Sequence, residues 1–135
     1  MGDRKFSPRV KTLLDRAHKV VEAEARHYPR RLAAQLDEMQ VCLSAGNVEE
    51  ALLLTYKVES EAAMLGWPLV TNLAGMLRRH LEAQGRFTAA SQAALDSLGL
   101  MLKGEMAGQA QEARLLLKNL QVAMLKERNE DQERL

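Results

Sequence analysis

Large aromatic side chains are scarce in this sequence. Its 135 residues include one tryptophan, two tyrosines and two phenylalanines. The core must therefore be built from leucine, alanine, valine and methionine. That composition favours helices, because strands are enriched in β-branched and aromatic residues. A chain of this length is sufficient for one domain with one sizeable core, so we expect a single domain over residues 1–135.

Charge of one sign, cysteine and long apolar runs are also lacking. The 19 lysines and arginines nearly balance 18 acidic residues, which argues against a nucleic-acid binder driven by clustered basic charge. The single Cys42 can form neither an internal disulfide nor, alone, a zinc site, so we expect no metal and no cofactor. No apolar run approaches the roughly 18 residues of a membrane span. Because a signal peptide is also missing, the sequence predicts a soluble cytoplasmic protein without a membrane partner.

What the chain does contain is apolar residues at helical spacing along most of its length. Residues typical of helix ends separate these stretches, with starts predicted at Ser7–Pro8, Asn47, Pro68 and Thr88 and ends at Gly46, Gly66 and Gly85. Pro29 predicts a kink or a fresh helix start near Tyr28. The pattern predicts an all-α fold, an antiparallel four-helix bundle with an additional N-terminal helix. We expect Gly104 and Gly108 to loosen the chain, and residues 1–7 and 129–135 to fray.

The helix predicted over residues 48–65 has two alternative inward faces. One is centred on Thr55 and places Glu59 in the core, which is costly for a charge without a partner. The other takes Ala51, Leu54, Val58, Ala62 and Leu65 and leaves no charge inside, so we prefer it. Its consequence is an outward strip, called here the docking strip, of Leu52, Tyr56, Glu59, Ser60 and Ala63. An exposed apolar strip bordered by charge predicts a docking surface, unless other helices cover Leu52 and Tyr56.

The stretch from Thr55 to Thr71 resembles the signature of histidine-containing phosphotransfer (HPt) domains of bacterial two-component signalling. The family pattern is Ala-His-x-hydrophobic-Lys-Gly, with a further Gly ten residues after the His. Members of the alphaproteobacterial type continue with an aromatic residue, Pro, Leu and Val-Thr. This chain keeps that second half as Leu65-Gly66-Trp67-Pro68-Leu69-Val70-Thr71. The resemblance implies an HPt-like helical fold with a docking face.

The departures from the family pattern fall where the chemistry would be. Tyr56 stands in the position of the phospho-accepting His, Glu59 in that of a Lys and Ser60 in that of a Gly. A phenol is a poor nucleophile beside an imidazole at neutral pH. A carboxylate about 4 Å from a phosphoryl group is repelled by roughly 1 kcal/mol in water and about 4 kcal/mol at an effective dielectric near 20. The resemblance therefore implies a pseudo-phosphotransfer domain with no catalytic residue.

We accordingly expect a non-catalytic module, not an enzyme. Its partner would be a response-regulator receiver domain or a histidine kinase, bound through the docking strip. A basic rim of Arg78, Arg79 and Arg86 would meet the acidic pocket of a receiver domain. Two alternatives stay open: a genuine phosphotransfer protein that uses His80, and a homodimeric scaffold closed by the strip.

The three histidines have plainer interpretations than phosphate acceptance. His80 lies beside leucines, which favours a partly buried ring with a hydrogen bond. His27 precedes Pro29 and is expected to be solvated. The residues around His18 match the family motif only weakly. His18 can also face Glu22 at i,i+4, as in other pairs on helix surfaces.

Overall fold

The computed structural model describes residues 7–102 and 110–133, and within these ranges every regular element is an α-helix. This confirms the all-α prediction for that part of the chain. Gly104 and Gly108 lie outside the described residues, as do residues 1–6 and 134–135. None of the described helices is long and apolar enough to cross a membrane. The elements are α1 (Pro8–Ser44), α2 (Val48–Leu65), α3 (Pro68–Gln84), α4 (Ala89–Leu102) and α5 (Ala110–Glu133).

Local sequence sets the ends of the helices. The predicted cap side chains each accept a hydrogen bond from the backbone amide three residues on, at 3.2–3.3 Å: Ser7 from Val10, Asn47 from Glu50 and Thr88 from Ser91. Each cap satisfies an amide that has no partner within its helix. The predicted terminal glycines all have positive φ, between 66° and 78°, which a residue with a side chain adopts only with strain.

Pro29 lies inside α1, which runs without interruption from Pro8 to Ser44. The alternative of a fresh helix start near Tyr28 is therefore wrong, and no separate helix precedes α1 within the described residues. Side chains from 7 to 22 are exposed, whereas Tyr28 is completely buried. The proline thus falls close to the point where α1 comes under cover of the other helices. Packing there holds the helix in spite of the hydrogen bond that proline removes.

The helices surround one core of leucine, alanine, valine and methionine side chains. Helix α1 packs against α2 and α4, α3 packs against the same two helices, and α5 packs against α3 and α4. The largest completely buried side chains include Leu32, Met39, Leu43, Leu73, Leu77, Leu81 and Leu98. Tyr28 is the one large aromatic ring among the buried residues that the structure describes. The prediction that leucine, alanine, valine and methionine would form the core is therefore confirmed for the described residues.

The C-terminal end of α5 has a contact with the rest of the fold. The helix extends to Glu133 and so includes residues 129–133, whose polar sequence predicts fraying. A tertiary contact accompanies this extension, because Arg86 donates a hydrogen bond to Asp131 at 3.2 Å. The two residues are 45 positions apart, so no local pattern reveals the contact.

Candidate docking site on helices α2 and α3

The inward face of α2 combines the two faces that the sequence allowed. Ala51, Val58 and Ala62 of the preferred face are buried as expected, and Leu54 and Leu65 are partly buried. Thr55 is also completely buried, so its exclusion from the core was wrong. Its hydroxyl donates to the carbonyl oxygen of Ala51 at 2.6 Å. A hydroxyl that is satisfied within its own helix can enter a core without leaving an unpaired polar group.

Glu59 lies at the edge between the inward and outward faces of α2. Its carboxylate is held by the guanidinium of Arg78 from α3, with Nε donating to Oε2 at 2.7 Å and Nη2 to Oε1 at 3.3 Å. The two side chains are only 25% and 16% exposed. This two-point arrangement is the strong form of a charge-assisted hydrogen bond. Glu59 thus stays out of the core, at the edge of the outward face, and a partner 19 residues away compensates its charge.

Tyr56 is the exposed aromatic ring of the site. Its side chain is 49% exposed, and the Arg78 guanidinium carbon lies 4.6 Å from the ring centroid. This is a cation–π distance. The hydrogen bond with Glu59 raises the pKa of Arg78 above its ordinary value, so this cation stays charged. Tyr56, Glu59 and Arg78 thus form one cluster across α2 and α3, called here the Tyr56 cluster.

The remaining members of the docking strip differ in exposure. Ser60 and Ala63 are exposed with Tyr56, as expected. Leu52 is partly buried and packs against the core, so the plainer interpretation, that other helices cover it, is correct for this residue. Leu52 therefore contributes more to the core than to the exposed surface.

Two apolar residues that the sequence reasoning missed complete the exposed surface. Leu53 is 66% exposed and Met64 is 67% exposed. Both lie on the side of α2 that carries Tyr56, with Leu53 three residues before Tyr56 and Met64 four residues after Ser60. Helical spacing was the available signal, because residues three and four apart are neighbours on a helix surface. We call the set Leu53, Tyr56, Ser60, Ala63 and Met64 the outward face of α2.

The basic rim does not act as one unit. Arg78 belongs to the Tyr56 cluster, and Arg86 is paired with Asp131. Arg79 is exposed and lines a groove together with Arg114 and Lys118 of α5. Of the predicted rim, Arg78 is therefore the residue that the structure brings to Tyr56.

His80 is completely buried between α3, α4 and α5. Its Nε2 atom lies 2.9 Å from Oε2 of Glu127 and 3.1 Å from Oγ1 of Thr88. The second carboxylate oxygen of Glu127 accepts the backbone amide of Ala90 at 2.9 Å. Burial opposes ionisation of Glu127, but its interactions with Thr88, the Ala90 amide and His80 outweigh that effect and lower its pKa. The interpretation of His80 as a buried, hydrogen-bonded histidine is confirmed, and its burial is complete rather than partial.

The other two histidines are on the surface, as predicted. His27 is exposed, and the ring of His18 lies 2.8 Å from the carboxylate of Glu22 in the same helix. Across the residues that the structure describes, no three His, Cys, Asp or Glu side chains are grouped to hold a metal ion.

Comparisons with protein-family models, with curated proteins and with solved structures find no match for this chain. The functional proposal therefore depends on the geometry of the Tyr56 cluster and on the resemblance in the sequence.

Proposed function

We propose that this protein is a non-catalytic module of HPt type, which binds a response-regulator receiver domain or a histidine kinase without accepting phosphate. The observation that carries the proposal is an exposed Tyr56 in the family's histidine position, backed by the Glu59–Arg78 ion pair. The mutual packing of α1, α2, α3 and α4 is compatible with the antiparallel four-helix bundle that the resemblance implies. In this proposal the first half of α1 is an addition to the bundle.

The chemistry of the Tyr56 cluster disfavours phosphoryl transfer. Glu59, one helical turn after Tyr56, stands where the family has a Lys, so this position supplies no cation for an incoming phosphoryl group. The guanidinium of Arg78 is already bonded to Glu59 and to Glu82, at 2.7 Å and 3.3 Å. A tyrosine would also carry phosphate as an ester, which lacks the transfer potential of a phosphoramidate. The cluster is therefore better suited to contact a partner than to exchange phosphate with it.

The outward face of α2 has the composition of a small protein interface. Tyr56 presents a ring that is fixed from one side by Arg78, and tyrosine and arginine are enriched among residues that dominate binding energy. Leu53 and Met64 extend the apolar surface on either side of it. Arg79, exposed on the neighbouring helix, adds positive charge that suits the acidic pocket of a receiver domain.

The decisive experiment is to replace Tyr56 with alanine and measure partner affinity. Candidate receiver domains and kinases are captured with the wild-type protein and then titrated calorimetrically. We expect Tyr56→Ala to weaken binding by about 1 to 3 kcal/mol, while circular dichroism shows an unchanged fold. Val122→Ala is the matched control, because Val122 is a 60% exposed apolar residue on α5, away from the outward face. Unchanged affinity in Tyr56→Ala contradicts the docking assignment.

The alternative acceptor His80 is tested directly with a phosphorylated receiver domain. Its complete burial and its contact with Glu127 oppose access of a phosphoryl donor, so we expect no acid-labile phosphate on the protein. Acid-labile label that disappears in His80→Gln would reverse the non-catalytic proposal.

The homodimer alternative is tested by light scattering. Leu53→Glu is the suitable variant, because Leu53 is exposed whereas the originally predicted Leu52 is partly buried. A monomer in both the wild type and the variant excludes a dimer closed by the outward face. A dimer that dissociates in Leu53→Glu replaces the partner-binding proposal with a scaffolding one.

Reversal of the three departures tests the ancestry implied by the resemblance. Tyr56→His, Glu59→Lys and Ser60→Gly together restore the family pattern. Glu59→Lys would place a second cation against Arg78, so the reversal is made in an Arg78→Leu background. Phosphate acceptance from a receiver domain by this variant supports the fold and the docking face together.

A further inference from the structure

An open groove of about 440 Å³ lies between α3 and α5, next to Glu59 of α2. Three cationic side chains line it, Arg79 from α3 and Arg114 and Lys118 from α5. The lining also includes two apolar side chains, Met76 and Leu117, and three neutral polar ones, Thr71, Asn72 and Gln121. A volume of this size is within the range of small-molecule sites.

The described part of the groove lining carries an excess of positive charge. Among the described lining residues the one acidic side chain is Glu59, which is already neutralised by the two hydrogen bonds from Arg78. Among the described residues, no salt bridge includes Arg79, Arg114 or Lys118. Arg114 and Lys118 are also four residues apart on α5, a spacing at which like charges destabilise a helix. An anion bound between them would relieve that repulsion.

Gly75 allows charged groups to lie close to α3 at this groove. It is buried, and a Cβ atom added there would lie 3.3 Å from Nη1 of Arg79 and 3.4 Å from Oε1 of Glu59. The contact with Arg79 would be tighter than usual and that with Glu59 ordinary, so a side chain at this position would displace the Arg79 guanidinium by a few tenths of an ångström. The missing Cβ thus helps to place the Arg79 guanidinium at the wall of the groove.

We propose that this groove binds a small organic molecule with two or three negative charges, carried by phosphate or carboxylate groups. The planar guanidinium groups of Arg79 and Arg114 match such groups through paired hydrogen bonds, and Lys118 adds a third charge. Met76 and Leu117 contact the body of the molecule. The site is additional to the proposed docking function and does not depend on it, because Arg114 and Lys118 lie outside the outward face of α2.

The test is calorimetric titration of the full chain with two probes, pyrophosphate and citrate, at constant ionic strength. We expect saturable binding of at least one probe, and the stronger probe identifies the class of anion. Arg114→Gln and Lys118→Gln should each weaken that binding about tenfold. The matched controls are Lys126→Gln and Arg128→Gln, which remove the same charge from exposed positions of the same helix outside the groove. These controls should change the affinity by less than about twofold.

Two further variants separate this site from the docking site. Gly75→Ala should weaken anion binding because it displaces Arg79, and Tyr56→Ala should leave anion binding unchanged. The proposal is overturned if neither probe shows saturable binding at about 10 mM. It is equally overturned if the control variants weaken binding as much as Arg114→Gln does, because the attraction would then be spread over the surface. Comparable weakening in Tyr56→Ala would place the anion at the Tyr56 cluster and would overturn the proposal as well.

Discussion

The two tyrosines of this chain occupy similar settings with opposite exposure. Each ring has an arginine guanidinium near its centroid, Arg31 at 5.7 Å for Tyr28 and Arg78 at 4.6 Å for Tyr56. Each of these arginines also pairs with a glutamate of α2, Arg31 with Glu61 and Arg78 with Glu59. Yet Tyr28 is completely buried, whereas Tyr56 is about half exposed. The same combination of residues is therefore used once inside the fold and once on its surface.

The two tyrosines differ in exposure because only Tyr28 is enclosed by the fold on the sides that its arginine leaves free. The edge of Trp67 meets Tyr28 at a centroid distance of 5.4 Å and an angle of 81°, and the Tyr28 hydroxyl donates to the carbonyl oxygen of Val58 at 3.4 Å. Burial, with a smaller contribution from the charge of Glu61, raises the pKa of Tyr28 to about 12. Tyr28 thus joins α1 to α2 and to the turn before α3. Tyr56 has a cation on one side and leaves much of its surface to solvent, which is what a docking residue requires.

The largest effect that separates the two tyrosines is on stability. Tyr28→Ala should lower the free energy of unfolding by about 3 to 5 kcal/mol, because it leaves a cavity at the junction with Trp67. Tyr56→Ala should lower it by less than about 1 kcal/mol, because half of the ring is already in water. Chemical denaturation measures both values. Similar losses in the two variants would contradict the division into a structural and a docking tyrosine.

Replacing the arginine beside each tyrosine should change the free energy of unfolding by an intermediate amount. Arg78→Met should lower the free energy of unfolding by about 1 to 2 kcal/mol, because Glu59 loses its charge-assisted hydrogen bonds while only a quarter of it reaches solvent. Adding Glu59→Gln should recover part of that loss.

Arg31→Met should have a comparable or smaller effect on stability, but it should leave partner affinity unchanged. Arg78→Met should weaken partner binding, since Arg78 orients the Tyr56 ring. Equal changes of affinity in the two arginine variants would indicate that the partner does not use the Tyr56 cluster.

The smallest effect comes from removing single hydroxyl groups. Tyr28→Phe should lower the free energy of unfolding by only about 1 kcal/mol at neutral pH, because the hydrogen bond that it removes, to Val58, is long and therefore weak. Tyr56→Phe should have no measurable effect on unfolding.

The difference between wild type and Tyr28→Phe should then shrink at alkaline pH. The Tyr28 hydroxyl ionises at its ordinary pKa of 10 in the unfolded chain and at about 12 in the folded chain. Between these values the unfolded state binds fewer protons, so the free energy of unfolding of the wild type falls as pH rises. The Tyr28→Phe variant has no hydroxyl at this position, so its free energy of unfolding lacks this dependence on pH. Parallel pH curves for the two proteins would show that Tyr28 is not enclosed.

Local features of the candidate site could be predicted, and pairings between helices could not. The exposure of Tyr56, Ser60 and Ala63 follows from helical spacing. The same spacing was sufficient to find Leu53 and Met64, which the prediction missed. Thr55 was wrongly excluded from the inner face, and the partner that holds Glu59 at the edge of that face was not foreseen, because helical spacing does not show where polar groups find their partners. Thr55 has its partner within the helix, and Glu59 has it on the next helix, 19 residues away.

The helical class, the caps and the glycine ends follow from local sequence, because these features depend on residues within one turn of each other. Composition adds that the core is poor in aromatic rings. The fold was needed to see that α1 continues through Pro29, that α5 continues to Glu133, and that Tyr28 is enclosed while Tyr56 is open. Each of these depends on contacts between residues far apart in the chain, where spacing along a single helix carries no information.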